Sequence, residues 1–334
     1  MERTLDRRQF IISIATAGVF GARTAPAQTL TERPRRIGLM IAVGEDDPEG
    51  QNRVETFVSA LKTTGWTRGQ NVTVEVAWYS GNFQRAQAAA QKFVENQVDV
   101  IVVNGTPGMD ALRTLRTSIP IVFVVVSDPV GAGYVSNLSR PGANITGFST
   151  FEPEIAGKWL QLLRRIAPDL KNVSMLFDPK FTAFKSLWLE IENTAPNQGI
   201  IPHAAFASSL SEIELALDAV SKRESPGLIV SPSPVNTVNR KRIISIVNDN
   251  RVPAIFPFRF YVRDGALMAY GFNAADQFRR AAAYVSRILK GEKAGDLPVQ
   301  GPSLFEFGIN VRTAKAMGLS VPQALLISAD EIVQ

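Results

Sequence analysis

The chain has 334 residues, of which 45% are apolar and 20% charged, and its formal net charge is +5. This composition supports a folded protein with a sizeable core, excludes extensive disorder, and at this length predicts two domains. The absence of cysteine excludes disulfides, thiolate nucleophiles, Cys-ligated zinc and iron–sulfur clusters. The basic residues are scattered, without a stripe of interleaved aromatics, so the charge does not indicate nucleic-acid binding.

Residues 1–27 have the pattern of a cleavable export signal. A charged start ends in Arg7-Arg8, an apolar stretch covers residues 11–22, and Ala-Pro-Ala precedes Gln28. The stretch is too short to span a bilayer, which takes roughly 20 residues, and the small residues suit signal peptidase. We therefore expect cleavage near Ala27 and a periplasmic protein. The arginine pair resembles the twin-arginine signal, with a general secretory signal as the alternative.

After the export signal, apolar runs alternate with amphipathic segments, which predicts parallel strands covered by helices. In residues 50–64, Val54, Phe57 and Leu61 share one helical face, and Gly65 follows as a C-terminal stop. The predicted strands of this first half are residues 36–42, 72–78, 98–103 and 119–126. The predicted helices are residues 50–64, 83–97 and a segment through Met109, Leu112 and Leu115. The pattern pauses near residues 144–148 and restarts with a helix over residues 154–166.

A second series follows, with strands over residues 173–177, 202–206, 227–230 and 254–256 and helices over residues 182–198, 211–223 and 239–250. The last part has a strand at 266–270, a helix at 274–289, a strand at 305–309 and a short helix at 312–317. We expect this tail to cross between the halves. The predicted fold is α/β, with two Rossmann-like lobes of parallel sheets flanked by helices and joined by hinge strands. Lobe 1 is predicted over residues 35–147 plus 273–296, and lobe 2 over residues 148–272 plus 297–334.

Four stretches, residues 98–107, 119–131, 138–147 and 314–322, carry a family resemblance that covers nearly the whole chain after the export signal. In combination they resemble the ABC-transporter substrate-binding proteins related to the tryptophan/tyrosine-transport binding components. The resemblance implies a type I periplasmic-binding fold that closes around a small solute, most simply an amino acid or related small carboxylate, and delivers it to an inner-membrane ABC permease. At Asp178-Pro179-Lys180 the family commonly has an Asn-Pro-type turn, so ligand identity is not carried over through this segment.

Ligands of open α/β sheets lie beyond the carboxyl ends of the strands, where helix N-termini present N–H groups. This rule, applied to the predicted strands and hinges, selects the following candidate ligand-binding residues: Ala42, Val43, Thr106, Pro107, Ser127, Asp128, Ser149, Thr150, Asp178, Ser231, Ser233, Phe258, Tyr270 and Asn273.

Several of these candidates have a purely structural alternative. Thr106 could hold a ligand carboxylate or only cap a helix, which stabilises by roughly 1 kcal/mol. Asp128 could pair with a ligand ammonium or only start a turn with Pro129. Phe148, Phe258 and Tyr270 could stack on an apolar solute or only pack the core and hinge.

The residues that enzymes need are scarce. His203 is the only histidine, so a metal cluster or a catalytic triad has little to build on, and we expect a surface or packing role for it. The segment Gly131-Ala132-Gly133 lacks the spacing of nucleotide-binding loops. Asp46-Asp47 and the pair Glu152 and Glu154 fall in predicted loops, where solvated turns are expected. We therefore predict no catalytic residue, metal or cofactor.

The resulting expectation is a monomeric, non-enzymatic solute-binding component of an ABC-type importer, with no nucleic-acid partner. The alternative is a periplasmic ligand-sensing protein that signals to a membrane receptor, because one fold serves both functions. A neighbouring permease and ATPase gene pair would favour transport, and a neighbouring sensor kinase would favour signalling.

Overall fold

The computed structural model describes residues 33–150 and 155–334, and Pro34–Gln334 form one compact unit. The predicted export signal lies outside the described residues, as do Glu152 and Glu154. Among the described helices, none has the length and apolar character needed to cross a membrane.

The first sheet has five parallel strands in the order β2-β1-β3-β4-β5. They are Arg35–Ile41 (β1), Val72–Trp78 (β2), Val100–Asn104 (β3), Ile121–Val126 (β4) and Ile145–Ser149 (β5). The helices among them are Pro48–Thr63 (α1), Phe83–Glu95 (α2) and Thr106–Thr114 (α3). Strands β1, β3 and β4 are almost wholly buried, because helices cover both faces of the sheet.

The second sheet has seven strands in the order β12-β11-β10-β9-β8-β6-β7, and only the β10–β11 pair is antiparallel. The elements from residue 155 onward are Ile155–Ile166 (α4), Asn172–Phe177 (β6), Thr182–Thr194 (α5), Ile201–Phe206 (β7), Leu210–Ser221 (α6), Pro226–Val230 (β8), Pro234–Val238 (α7), Arg240–Asp249 (α8), Ala254–Phe256 (β9), Phe260–Arg263 (α9), Met268–Phe272 (β10), Ala274–Leu289 (α10), Phe305–Asn310 (β11), Val311–Ala316 (α11), Gln323–Ser328 (α12) and Glu331–Val333 (β12).

Helix α10 belongs with the first sheet although it follows β10 in the chain. Its buried side chains Phe278 and Val285 share a core cluster with Leu39, Phe57 and Val102. The chain therefore passes between the two sheets three times: between β5 and α4, at the junction of β10 and α10, and between residues 297 and 304. We call each sheet with its helices the five-stranded lobe and the seven-stranded lobe. The residue boundaries predicted for the two lobes stay a prediction.

The predicted fold class is confirmed, and the differences from the sequence-based elements are local. Residues 145–149 form a strand where the pattern was interpreted as a pause. The predicted helix over residues 182–198 ends at Thr194, and a separate 3₁₀ turn covers Pro196–Gln198, because proline removes a helix hydrogen bond. The short elements α7, α9, α12 and β12 were not predicted.

Candidate solute-binding site

A cavity lies between the lobes at the carboxyl ends of β1, β3 and β4 and of β8 and β9. All the space between its walls, including the part open to solvent at its mouth, is about 410 Å³. The residues that line it come from both lobes and are Ala42, Val43, Arg53, Asn104, Gly105, Thr106, Val125, Ser127, Phe184, Pro232, Pro234, Thr237 and Phe258. We call this space the polar compartment because Arg53 enters it.

A second space adjoins the first, and Ser127 and Pro232 line both. Its other lining residues are Thr150, Ile155, Trp159, Leu187, Pro257 and Phe272, and we call it the apolar compartment. The indole N–H of Trp159 donates to the carbonyl oxygen of Tyr270 at 2.6 Å. Trp159 therefore presents only its apolar ring surface to this space. At the border, the hydroxyls of Ser127 and Thr150 lie 2.8 Å apart and share a hydrogen bond.

Arg53 is a buried cation on a helix face that is otherwise apolar. It lies on the same buried face of α1 as Gly50, Phe57 and Leu61, and the whole residue is only 2% exposed. Its Nε donates to Glu49 at 3.1 Å, and its Nη1 donates to the Asn104 Oδ1 atom at 3.1 Å. Its Nη2 is buried and has no hydrogen-bond partner. A buried donor without a partner costs free energy that an acceptor on a bound solute would recover.

The N-terminus of α3 lies on the same wall, where Gly105 and Thr106 line the cavity. Gly105 has a φ of 88° and occupies the cap position, where it has no side chain to cap the helix. Thr106 is the first helical residue. It therefore does not occupy the cap position, which was the structural alternative considered for it. The Thr106 hydroxyl accepts from the Ser127 N–H at 3.4 Å. A helix N-terminus favours a negative charge.

An ion-pair network joins the lobes beside the cavity. Arg240, on α8, donates from Nη1 to Asp47 at 2.5 Å and from Nε to Asp264 at 2.6 Å. Burial lowers the pKa of Arg240, but its hydrogen bonds to Asp47 and Asp264 outweigh burial and raise it overall. Asp47 also caps α1, because its Oδ1 accepts from the Glu49 N–H at 3.0 Å.

Pro234 and Phe258 of the seven-stranded lobe also pack on the five-stranded lobe. A methyl group added to Gly81 or Gly105 would meet Pro234 at 3.7 or 3.8 Å. The Arg53 guanidinium carbon lies 6.0 Å from the centre of the Phe258 ring. These contacts and the Arg240–Asp47 pair show that the lobes are in contact around the cavity.

Of the fourteen residues predicted from strand ends and hinges, six line the two compartments: Ala42, Val43, Thr106, Ser127, Thr150 and Phe258. The other eight line neither compartment. Pro107 is buried within α3, and the Ser149 carbonyl accepts from Gln277 at 3.0 Å. Asn273 caps α10 and donates to Glu306 at 2.9 Å. Tyr270 stacks on Phe305 with ring centres 6.0 Å apart.

The two predicted carboxylates take part in local turns. Asp128 accepts from the Gly131 N–H at 2.8 Å, as expected of a turn starter. Asp178 accepts from the Lys180 N–H at 3.0 Å and from the Ser208 hydroxyl at 2.9 Å. Neither lines the polar or the apolar compartment.

The remaining predicted residues have internal partners as well. Ser231 accepts from the side-chain amide of Asn236 at 3.2 Å, and Ser233 caps α7. Phe148, the third aromatic that was considered for stacking, is fully buried against Tyr284, with ring centres 4.9 Å apart.

Comparison with known proteins establishes the family. A model of the family "ABC transporter substrate binding protein" matches residues 39–333.

The chain belongs to this family.

A tyrosine-binding protein of Clostridioides difficile is 25% identical to this substrate-binding protein over 96% of both chains. A solved conserved-domain protein from Vibrio cholerae is 27% identical, with a TM-score of 0.83, and covers 90% of this chain and all of its own. An ABC domain from Streptococcus pneumonia in complex with L-Trp is 21% identical, with a TM-score of 0.82, over 90% and 100% of the two chains. These likenesses show the two-lobed fold of type I periplasmic binding proteins.

In this substrate-binding protein the single histidine has a local role. The Nε2 atom of His203 lies 2.8 Å from the Asn172 Oδ1 atom and 3.3 Å from Arg223. Within the described residues, no group of three or more His, Cys, Asp or Glu side chains is placed to hold a metal ion. The family to which the chain belongs is one of substrate-binding proteins.

The cavity residues that the strand-end rule missed are Arg53, Asn104, Gly105, Val125, Phe184, Pro232, Pro234 and Thr237 in the polar compartment and Ile155, Trp159, Leu187, Pro257 and Phe272 in the apolar one. Arg53 had a detectable signal, because it lies four residues before Phe57 on the apolar stripe of α1. A charge on a buried stripe indicates a partner inside the protein.

Proposed function

We propose that this protein is the extracytoplasmic solute-binding component of an ABC-type importer, and that it captures an amino acid or a related small carboxylate between its lobes. The observation that carries the proposal is Arg53, which lines a cavity shared by both lobes and whose buried Nη2 atom has no hydrogen-bond partner. Binding would occur by hinge closure, and the closed protein would deliver its solute to a membrane permease. The tyrosine-binding relative supports the chemical class, because tyrosine carries a carboxylate.

Closure needs chain crossings that act as hinges and contacts that form only in one state. We infer hinges near Gly147-Phe148, residues 270–273 and residues 297–301. Gly147-Phe148 lies within β5, just before the first passage between the sheets, and the other two segments lie at the second and third passages. The contacts of Pro234 and Arg240 with the opposite lobe are of the kind that opening would break. A solute that touches both lobes would supply the free energy that favours the closed state.

The export signal over residues 1–27 supports a location in the periplasm, with cleavage near Ala27. We also propose that the protein acts as a monomer.

A melting-temperature screen of the purified protein tests the proposal, after any co-purified solute has been removed by unfolding and refolding. The panel contains amino acids, small carboxylates, aromatic acids and sugars. A ligand at one hundred times its Kd stabilises by about 2.7 kcal/mol, which raises the Tm by several degrees. A shift confined to one chemical class supports solute binding and identifies that class, whereas no shift with any class contradicts the proposal.

A pair of variants ties the shift to the cavity. Ser127→Leu places a larger side chain at the border of the two compartments and should abolish the shift. Ser245→Leu, on the exposed face of α8, should keep it. Loss of solute uptake in cells that lack this chain then separates an importer component from a sensor.

A further inference from the structure

One charged side chain of the polar compartment, that of Arg53, has a hydrogen-bond donor without a partner. Asn104 accepts from Arg53 and from the Ala42 N–H at 3.2 Å, and its amide lies 3.5 Å from the Val124 carbonyl. Thr237 donates to the Ser233 carbonyl at 3.0 Å and accepts from the Tyr261 hydroxyl at 3.1 Å. The buried Nη2 of Arg53 has no such partner. The compartment therefore lacks one acceptor, which a bound solute would provide.

The residues that line the two compartments favour an anion over a zwitterion. Glu49 pairs with the Nε of Arg53, and Nη2 is left without a hydrogen-bond partner. The α3 N-terminus adds a partial positive charge on the same wall. Among residues 33–150 and 155–334, no aspartate or glutamate lines either compartment. A ligand ammonium would lose water there without gaining a carboxylate partner, and such burial is costly.

The lining of the apolar compartment indicates the chemistry of the rest of the solute. Its apolar lining consists of two prolines together with Ile155, Trp159, Leu187 and Phe272. The two hydroxyls at its border, of Ser127 and Thr150, hydrogen-bond to each other. Phe258 and Phe184 continue this apolar lining into the polar compartment. Burial of an aliphatic or aromatic group against such a surface is favourable. A sugar would find few hydrogen-bond partners there for its hydroxyls.

We propose that the solute is a carboxylic acid with an apolar or aromatic body and no α-ammonium group, and that Arg53 Nη2 binds its carboxylate. This inference rests on the proposed function and narrows its substrate class. It separates this chain from a relative that binds tyrosine, because an amino acid has a positive charge that the described walls leave without a carboxylate partner.

The experiment is isothermal titration calorimetry of the purified, solute-stripped protein with four matched compounds. 3-Phenylpropionate has only the carboxylate, L-phenylalanine has the carboxylate and the ammonium, phenethylamine has only the ammonium, and 3-phenylpropanol has neither. The expected result is that 3-phenylpropionate binds at least tenfold more tightly than each of the other three compounds. The indole pair, indole-3-propionate and L-tryptophan, should show the same order.

Two variants of Arg53 assign the carboxylate to that side chain. Arg53→Gln should weaken 3-phenylpropionate binding at least tenfold, because it removes a charge-assisted hydrogen bond. It should leave the weak binding of 3-phenylpropanol unchanged. Arg53→Lys keeps the charge and should retain part of the affinity. Arg113→Gln, on α3 but outside both compartments, is the matched control and should bind as the wild type does.

Other outcomes overturn the inference in distinguishable ways. Tighter binding of L-phenylalanine or L-tryptophan than of the acids would show an ammonium site and refute the inference while leaving solute binding intact. Equal loss of acid and alcohol binding in Arg53→Gln would make Arg53 a structural residue. Binding of none of these compounds, with a sugar or other class active in the melting screen, would refute the carboxylate class but keep the proposed function. Inactivity of every class would refute both.

Discussion

Arg240 and Asp47 form an ion pair that connects the two lobes, with the Arg240 Nη1 atom 2.5 Å from an Asp47 carboxylate oxygen. The side chains are 6% and 13% exposed, so solvent screens the pair much less than it screens a surface ion pair. Opening of the cleft would break this contact while leaving the Arg240–Asp264 contact intact, because Asp264 lies in the same lobe as Arg240. The pair is therefore a candidate latch of the closed state.

Asp47→Asn should weaken the closed state. Asparagine caps α1 as well as aspartate does, so the substitution removes the charge and keeps the cap. Since Asp264 still pairs with Arg240, the loss should be at the low end for a buried charge pair, about 2 kcal/mol. We expect roughly tenfold or greater acceleration of solute release in stopped-flow measurements, and a larger radius of gyration of the solute-free protein in solution scattering.

Asp264→Asn is the matched control for the latch. It removes the same charge from the other partner of Arg240 but breaks no contact between lobes. Its melting temperature should fall while its radius of gyration stays that of the wild type. Equal expansion in both variants, or in neither, would argue against the latch.

Gly147, in the middle of β5, should not tolerate a side chain. Its φ is 156°, and an added Cβ would lie 2.1 Å from the Phe123 carbonyl oxygen on the neighbouring strand. Gly147→Ala should therefore separate β4 from β5 and lower the free energy of unfolding by about 3 kcal/mol or more. Urea unfolding measures the loss.

Gly157→Ala provides the comparison for this substitution. Gly157 lies in α4 with open space around its Cβ position, so alanine should stabilise the helix by up to about 1 kcal/mol. A similar loss in both variants would show that the effect of Gly147→Ala does not come from its contact with Phe123.

The contrast between β4 and β5 shows what the sequence could predict. The run of residues 119–126 is so apolar that a buried strand follows directly, and the sheets and main helices were predicted from such periods. Residues 145–149 include threonine and glycine and form a strand only because β4 lies beside them. The strand-end rule found Thr106 and Ser127, which follow strands. It missed Trp159 and Leu187, which lie on helices. The helix faces that line the cleft are determined by the packing of two complete sheets, which the sequence pattern does not give.

Thr106 should contribute to affinity through its hydroxyl. Its hydroxyl accepts from Ser127, which leaves its own hydrogen free to be donated toward the cavity. Thr106→Val keeps the shape and removes this donor, so the Kd of the solute found in the melting screen should rise about fivefold to tenfold, which is about 1 kcal/mol. Thr106→Ser should bind nearly as the wild type does. If the valine variant binds normally in calorimetry, the hydroxyl makes no contact with the solute.

Export should depend on the arginine pair. Replacing Arg7 and Arg8 together by lysine preserves the charge and removes the pair that the twin-arginine receptor reads. We expect the precursor to accumulate in the cytoplasm, measured by fractionation and by the mass of the N-terminus. Replacing Arg3 and Arg23 by lysine is the control and should leave export unchanged. Normal export of the Arg7 and Arg8 variant would indicate the general secretory route.

His203 should make the protein less stable in acid. Burial, and then the nearby Arg223, lower the pKa of His203 below its ordinary value of 6.5. The unfolded chain therefore binds a proton more readily than the folded chain does, so stability is highest above about pH 6.5 and declines as the pH falls through the lowered folded pKa. His203→Gln has no titrating group and can keep a hydrogen bond to Asn172. The free energy of unfolding of the variant relative to the wild type should rise as the pH is lowered from 7.5 to 5, measured by urea titration at each pH. A constant difference across this range would show that His203 titrates equally in both states.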